Sequence, residues 1–134
     1  MTKEDWKRVE KALAGVYGFA KLMVDGKLIT FERRQVSMNQ LGIIVYVDGI
    51  CKADWIGKSK EYPEQRFLRK IDSFLWTPKR RAELKKWPKR MLRKYNYDPD
   101  AKYHYFSMIW RNVTEIRRHY EKTFSSIELI EVFG

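Results

Sequence analysis

Apolar residues recur along this 134-residue chain with two different periods, and the change of period divides it. Near the start, Trp6, Val9 and Leu13 stand at helical spacing. Thr2 precedes them as a cap, with Asp5 three residues on as a capping box. Gly15 is a natural stop. This predicts a helix over 3–14. Period-two segments follow, in two blocks, each centred on an Asp-Gly pair. Asp-Gly favours the type I′ turn, because both central residues need positive φ. The first block predicts a hairpin of 19–24 and 27–35 around Asp25-Gly26. A two-residue loop fixes its register. It sets Val24 against Lys27, Leu22 against Ile29, and Ala20 against Phe31, all on one mostly apolar face. The second predicts a hairpin of 41–47 and 50–56 around Asp48-Gly49. Together they form a four-stranded antiparallel meander, covered by helices on one face as an α+β domain requires.

From Tyr62-Pro63 the spacing turns helical, with Phe67, Leu68, Ile71, Phe74 and Leu75 as its stripe. Thr77-Pro78 reads as a cap followed by proline at the first helical position. A helix over 78–95 follows, interrupted or kinked at Pro88. Residues 96–100 form a loop, of the Asn, Asp and Pro type. A further helix is expected over about 107–122, with Ile109, Val113, Ile116 and Tyr120 in line. Residues 127–133 read as a final edge strand. The expected organisation is one domain, 1–134, in two halves: helix and sheet in 1–57, basic helices in 58–134. The length suits a single domain with a core of its own.

Charge changes the picture. Lys and Arg number 28 against 17 Asp and Glu, a net +11. Residues 1–57 hold nine basic and seven acidic residues, so +9 of that total falls on residues 58–134. A one-sided field of this kind steers anionic partners. Much of it lies on the expected basic helix: Lys79, Arg80, Arg81, Lys85, Lys86, Lys89, Arg90, Arg93 and Lys94, with Glu83 the one acid between 78 and 94. Leu84, Trp87, Met91, Leu92 and Tyr95 form a narrow stripe expected to dock, leaving a wide cationic arc outward. Arg117, Arg118 and Lys122, with Arg111, extend the charge onto the last helix. Cations in such density point to phosphate contact that is salt-sensitive and mostly independent of base sequence. Tyr95, Tyr97, Tyr103 and Tyr105 lie beside them and suit stacking on unpaired bases. The plainer reading is a solvated lysine-rich helix, but such helices usually mix signs. No zinc-finger spacing, recognition-helix motif or aromatic RNA-binding signature accompanies the charge.

Little else carries chemistry. His104 and His119, with a neighbouring cation, are the residues a small metal-independent ribonuclease would use. Glu115 and His119 are spaced as an i, i+4 surface ion pair. Asp98-Pro99-Asp100 is explained by turn chemistry rather than by a metal. Cys51 reads as a small packed residue in mid-strand, and the five tryptophans read as core anchors. No cofactor or metal is expected, and the chain is read as non-enzymatic. A lone cysteine suits a reducing compartment, the N-terminus lacks a leader pattern, and no apolar run nears the ~20 residues of a membrane span. A cytoplasmic setting without a membrane partner follows. The oligomeric state is left open.

Three segments carry a resemblance: TKEDWKRVEKAL at 2–13, VYVDG at 45–49 with WI at 55–56, and SSIELI at 125–130. They resemble small phage-encoded accessory proteins, a group that includes inhibitors of host defence of the anti-CRISPR type. The resemblance implies action in a host bacterial cytoplasm, and with the basic charge it implies a nucleic acid or a nucleoprotein complex such as a CRISPR effector as the target; the basic helix by itself also fits a protein-interaction module that meets an acidic host protein. The resemblance implies no site residues, because inhibitors of the anti-CRISPR type share no common sequence.

Overall fold

The computed structural model describes residues 1–56 and 60–134, and the fold is α+β. The expected boundary between the halves, at 57/58, falls outside the described residues. The chain forms two compact units, one of residues 1–69 with 106–134 and one of residues 70–105.

The first unit opens with α1 (Lys3–Ala12). Thr2 Oγ1 accepts from the Asp5 amide at 3.2 Å, and the Asp5 carboxylate accepts from the Thr2 amide at 3.1 Å. The capping box expected from the sequence is therefore complete. The Thr2 N–H holds the Asp5 carboxyl below its ordinary range, with the Thr2 side chain and the Arg8 charge adding to it. Strands β1 (Phe19–Val24) and β2 (Lys27–Ser37) pair in the expected register, Leu22 opposite Ile29 and Ala20 opposite Phe31. β3 (Gln40–Val47) continues the meander. Both Asp-Gly turns have positive φ at both residues: +45° and +84° at Asp25-Gly26, +50° and +78° at Asp48-Gly49. That is the conformation type I′ turns require.

Beyond Asp48-Gly49 the expected strand over 50–56 does not form. Ile50 makes a single bridge to Val47, and Ala53–Trp55 coil into a 3₁₀ turn. Lys52, Ala53 and Asp54 are poor strand formers. The edge of β3 is taken instead by β6 (Ile109–Trp110), and the Val45 amide donates to the Met108 carbonyl at 2.9 Å. Trp55 swings into the core, and Cys51 is half-buried outside any strand. β7 (Ile127–Phe133) is the expected final strand and pairs with β1. The sheet order is β6-β3-β2-β1-β7.

The helix expected from Tyr62 is also replaced. Pro63–Phe67 form a 3₁₀ turn, followed by β4 (Arg69–Phe74). Along β4 exposure alternates residue by residue, so Ile71 belongs to a period of two. The last helix, α4 (Val113–Thr123), starts later than expected, because Asn112 caps it by accepting from the Glu115 amide at 2.9 Å. Val113, Ile116 and Tyr120 are buried as the spacing implied, but Ile109 lies in β6.

Trp6 and Val9 of α1, Leu13 at its C-cap, and Ile116 and Tyr120 of α4 pack on Leu22, Ile29, Phe31, Val45 and their neighbours to form the core of this unit. Tyr120 is fully buried, and its hydroxyl donates to the Phe67 carbonyl at 2.6 Å. Burial pushes its phenol well above the ordinary range. No helix among the described residues is long and apolar enough to cross a membrane.

The second unit contains most of β4, then α2 (Pro78–Lys85), α3 (Lys89–Tyr95) and most of β5 (Lys102–Ser107), which pairs with β4. Thr77 caps α2 and Pro78 occupies its first turn, as expected. Pro88 separates the two helices, since it cannot donate to the preceding turn. Asn96 ends α3 in the left-handed conformation at φ +56°.

Candidate nucleic-acid interface

Residues 70–105 contain 11 Lys and Arg against 4 Asp and Glu, so this unit of 36 residues carries +7 of the chain's +11. Within it the nine candidate cations separate into two groups. Lys79, Lys86, Lys89, Arg90, Arg93 and Lys94 are exposed, and among the described residues no ion pair joins any of them to an acid. Lys94 Nζ lies 5.6 Å from the Tyr95 ring centroid. The other three are engaged. Arg80 pairs with Glu83 at 3.1 Å and lies 5.6 Å from the Trp87 ring centroid. Arg81 donates to the Pro99 carbonyl and to Asp100, both at 3.1 Å. Lys85 approaches Asp100 at 3.7 Å.

Those contacts explain the Asp98-Pro99-Asp100 segment. Asp98 Oδ1 accepts from the Asp100 amide at 2.9 Å, the local turn expected of Asp. Asp100 then serves Arg81 and Lys85. Three of the nine candidate cations are thus scaffold, a distinction that charge counting along the sequence cannot make.

Helix α3 has four cations in seven residues and no acid. Lys89 and Arg93, and Arg90 and Lys94, stand four apart, where like charges each cost a helix roughly 0.2–0.5 kcal/mol. A bound polyanion relieves that repulsion. The apolar stripe of the two helices does not dock as a whole. Leu84 is fully buried and Trp87 and Leu92 are half-buried, but Met91 remains 37% exposed and Tyr95 51% exposed. Tyr95 packs on Tyr97, with ring centroids 6.0 Å apart and planes 25° from parallel. Trp76 meets Tyr97 edge-on at 5.4 Å, and its indole N–H donates to the Asp98 carbonyl at 2.9 Å. Trp87 contacts both tyrosines, at 6.4 Å and 6.0 Å. Tyr103 and Tyr105 stack on each other along β5, 6.0 Å apart.

The remaining candidates lie on α4, in the first unit. Arg117 pairs with Glu121 at 2.9 Å, while Arg118 and Lys122 are exposed. The expected Glu115–His119 pair does not form. Glu115 faces Arg69 at 3.7 Å, and His119 Nε2 lies 2.8 Å from the Arg66 carbonyl. A carbonyl only accepts, so Nε2 carries the proton. The imidazole is enclosed by Trp110 at 5.5 Å, Tyr120 at 5.8 Å and Phe124 at 6.3 Å. His104 lies on β5, in the second unit.

No family model, curated protein or solved structure matches this chain.

Proposed function

We propose that this is a non-enzymatic nucleic-acid-binding protein whose contact surface is the basic helical face of the second unit. The observation that carries the reading is the exposed set Lys79, Lys86, Lys89, Arg90, Arg93 and Lys94, without an ion pair among the described residues, on α2, its C-cap and α3. Arg80, Arg81 and Lys85 brace that surface, and Arg118 and Lys122 on α4 are secondary. Combined with the resemblance to phage accessory proteins, the target is a nucleic acid or nucleoprotein complex of a host bacterium, a CRISPR effector being the class of target the resemblance implies. His119 supports a binding role over ribonuclease chemistry, since its Nε2 proton is committed to a backbone carbonyl.

Gel shifts and anisotropy with single- and double-stranded DNA and RNA over a salt series test the reading. Affinity is expected to fall steeply with salt, by roughly 0.7–0.9 in log–log slope per phosphate contacted. Lys86→Glu with Arg90→Glu is expected to remove most binding and lower that slope by about 2. Absence of binding at low salt, or binding indifferent to this pair, overturns it. A partner recovered from nuclease-treated lysate through the same residues favours an acidic host protein instead.

A further inference from the structure

We infer that the basic surface takes single-stranded rather than duplex nucleic acid, with an unpaired base stacked on Tyr95. This rests on the nucleic-acid reading above and specifies its ligand. Duplex binding needs only cations, because the base faces are hidden within the helix. A single strand exposes those faces, and proteins that hold it combine a cationic track with aromatic platforms. Tyr95 has the properties of such a platform. One side of its ring is supported by Tyr97, and Tyr97 is in turn buttressed by Trp76 and Trp87. Tyr95 itself is half exposed. Met91 precedes it by one helical turn and is exposed beside it, so the two form a ledge along one side of α3. Arg90 and Lys94 directly precede Met91 and Tyr95 and stand one turn apart on the adjoining cationic side. Bases on the ledge would place their phosphates along Arg90 and Lys94.

The other aromatic residues of this unit fit the role less well. Phe74 is covered by two cations, Arg81 at 3.4 Å from its ring centroid and Lys102 at 4.9 Å, whereas Tyr95 has Lys94 alone among the described residues, farther off at 5.6 Å. Tyr97 is enclosed by three rings, and Tyr103 and Tyr105 are half-buried. The hydroxyl of Tyr95 is satisfied by water but its ring face is not, and α3 buries none of its residues fully.

The test uses the full chain with fluorescein-labelled oligo(dT), oligo(U) and a DNA duplex of equal length. Tyr95→Ala is expected to weaken single-strand binding about tenfold, within the range for loss of one stacked base. Duplex binding and the salt slope should stay within twofold. Because alanine removes a rung that Tyr97 packs on, Tyr95→Trp supplies an independent reading. It should bind single strands at least as tightly as wild type, and its added indole should be quenched by oligo(dT) but not by duplex. Salt-sensitive binding that ignores Tyr95, or equal loss for single strand and duplex with no selective quenching, overturns the stacking inference while leaving the polyanion reading intact. Failure to bind any probe at low salt overturns both.

Discussion

The guanidinium of Arg81 lies 3.4 Å from the ring centroid of Phe74 while its Nη2 donates to Asp100 at 3.1 Å. One side chain therefore joins β4, α2 and the loop before β5. A cation held so closely is part of the frame that presents the other cations.

Arg81→Ala should accordingly act on stability. The lost ring contact, backbone hydrogen bond and ion pair together suggest about 1–2 kcal/mol, given that the group is partly exposed. Lys86→Glu, at an exposed position, should leave stability within about 0.5 kcal/mol. Urea unfolding followed by tryptophan fluorescence separates the two, because Trp76 and Trp87 report on this unit. An Arg81→Ala protein as stable as wild type would remove the scaffold assignment.

Tyr120 gives a prediction in pH. Burial raises its phenol above the ordinary value, so the folded state keeps a proton that the unfolded chain gives up above roughly pH 10. Protons bound by the unfolded state are then fewer, and stability falls as pH rises from there toward the folded value. Tyr120→Phe should flatten that alkaline decline. It should also cost about 1–3 kcal/mol at neutral pH, because the Phe67 carbonyl loses its 2.6 Å donor. Thermal melts of both proteins between neutral and alkaline pH decide it. Equal alkaline losses in the two would show that another group is responsible.

Asp25 is more than a turn residue. Its Oδ1 accepts from the Ser126 amide at 2.9 Å, and its own amide donates to the Ser126 carbonyl at 3.0 Å. Its other carboxylate oxygen meets Arg66 at 3.4 Å. Asp25→Ala should cost about 1–3 kcal/mol, from the left-handed backbone at φ +45° and the lost acceptor. Asp25→Asn keeps both features and should cost far less. Amide exchange along β7 should accelerate in the alanine variant and remain near wild type in the asparagine one.

Local chemistry was legible from the sequence wherever it decided the outcome. The Thr2–Asp5 capping box, both Asp-Gly turns, the register of β1 on β2, the Thr77-Pro78 start and the Pro88 break are short-range effects, and each appears where the residues imply. Elements that depend on a distant partner were not. Phe67, Leu68, Ile71 and Phe74 fit a helical stripe, but Arg69–Phe74 pairs with β5, which arrives some thirty residues later. Residues 50–56 alternate as a strand would, yet the β3 edge they needed belongs to Ile109 and Trp110. For the candidate site, charge density located the unit, but only contacts divide Arg80, Arg81 and Lys85 from the unpaired cations. The exposure of Met91 and Tyr95 was hidden for the same reason, since an apolar stripe does not reveal how much of it finds a neighbour.

The placement of β7 beside β1 has a bearing on how the protein comes into being. Both outer strands of the five-stranded sheet, β6 and β7, are synthesised after the three between them. During translation the β1–β2–β3 meander emerges with its two flanks unsatisfied, each a template for pairing with another chain. The sheet closes only when residues 126–133 have been made and travel back across more than a hundred positions to Asp25 and β1. Long-range closure of this kind slows folding. A nascent or C-terminally clipped chain lacking residues 127–133 would therefore be the form most exposed to self-association, whatever the intact protein binds.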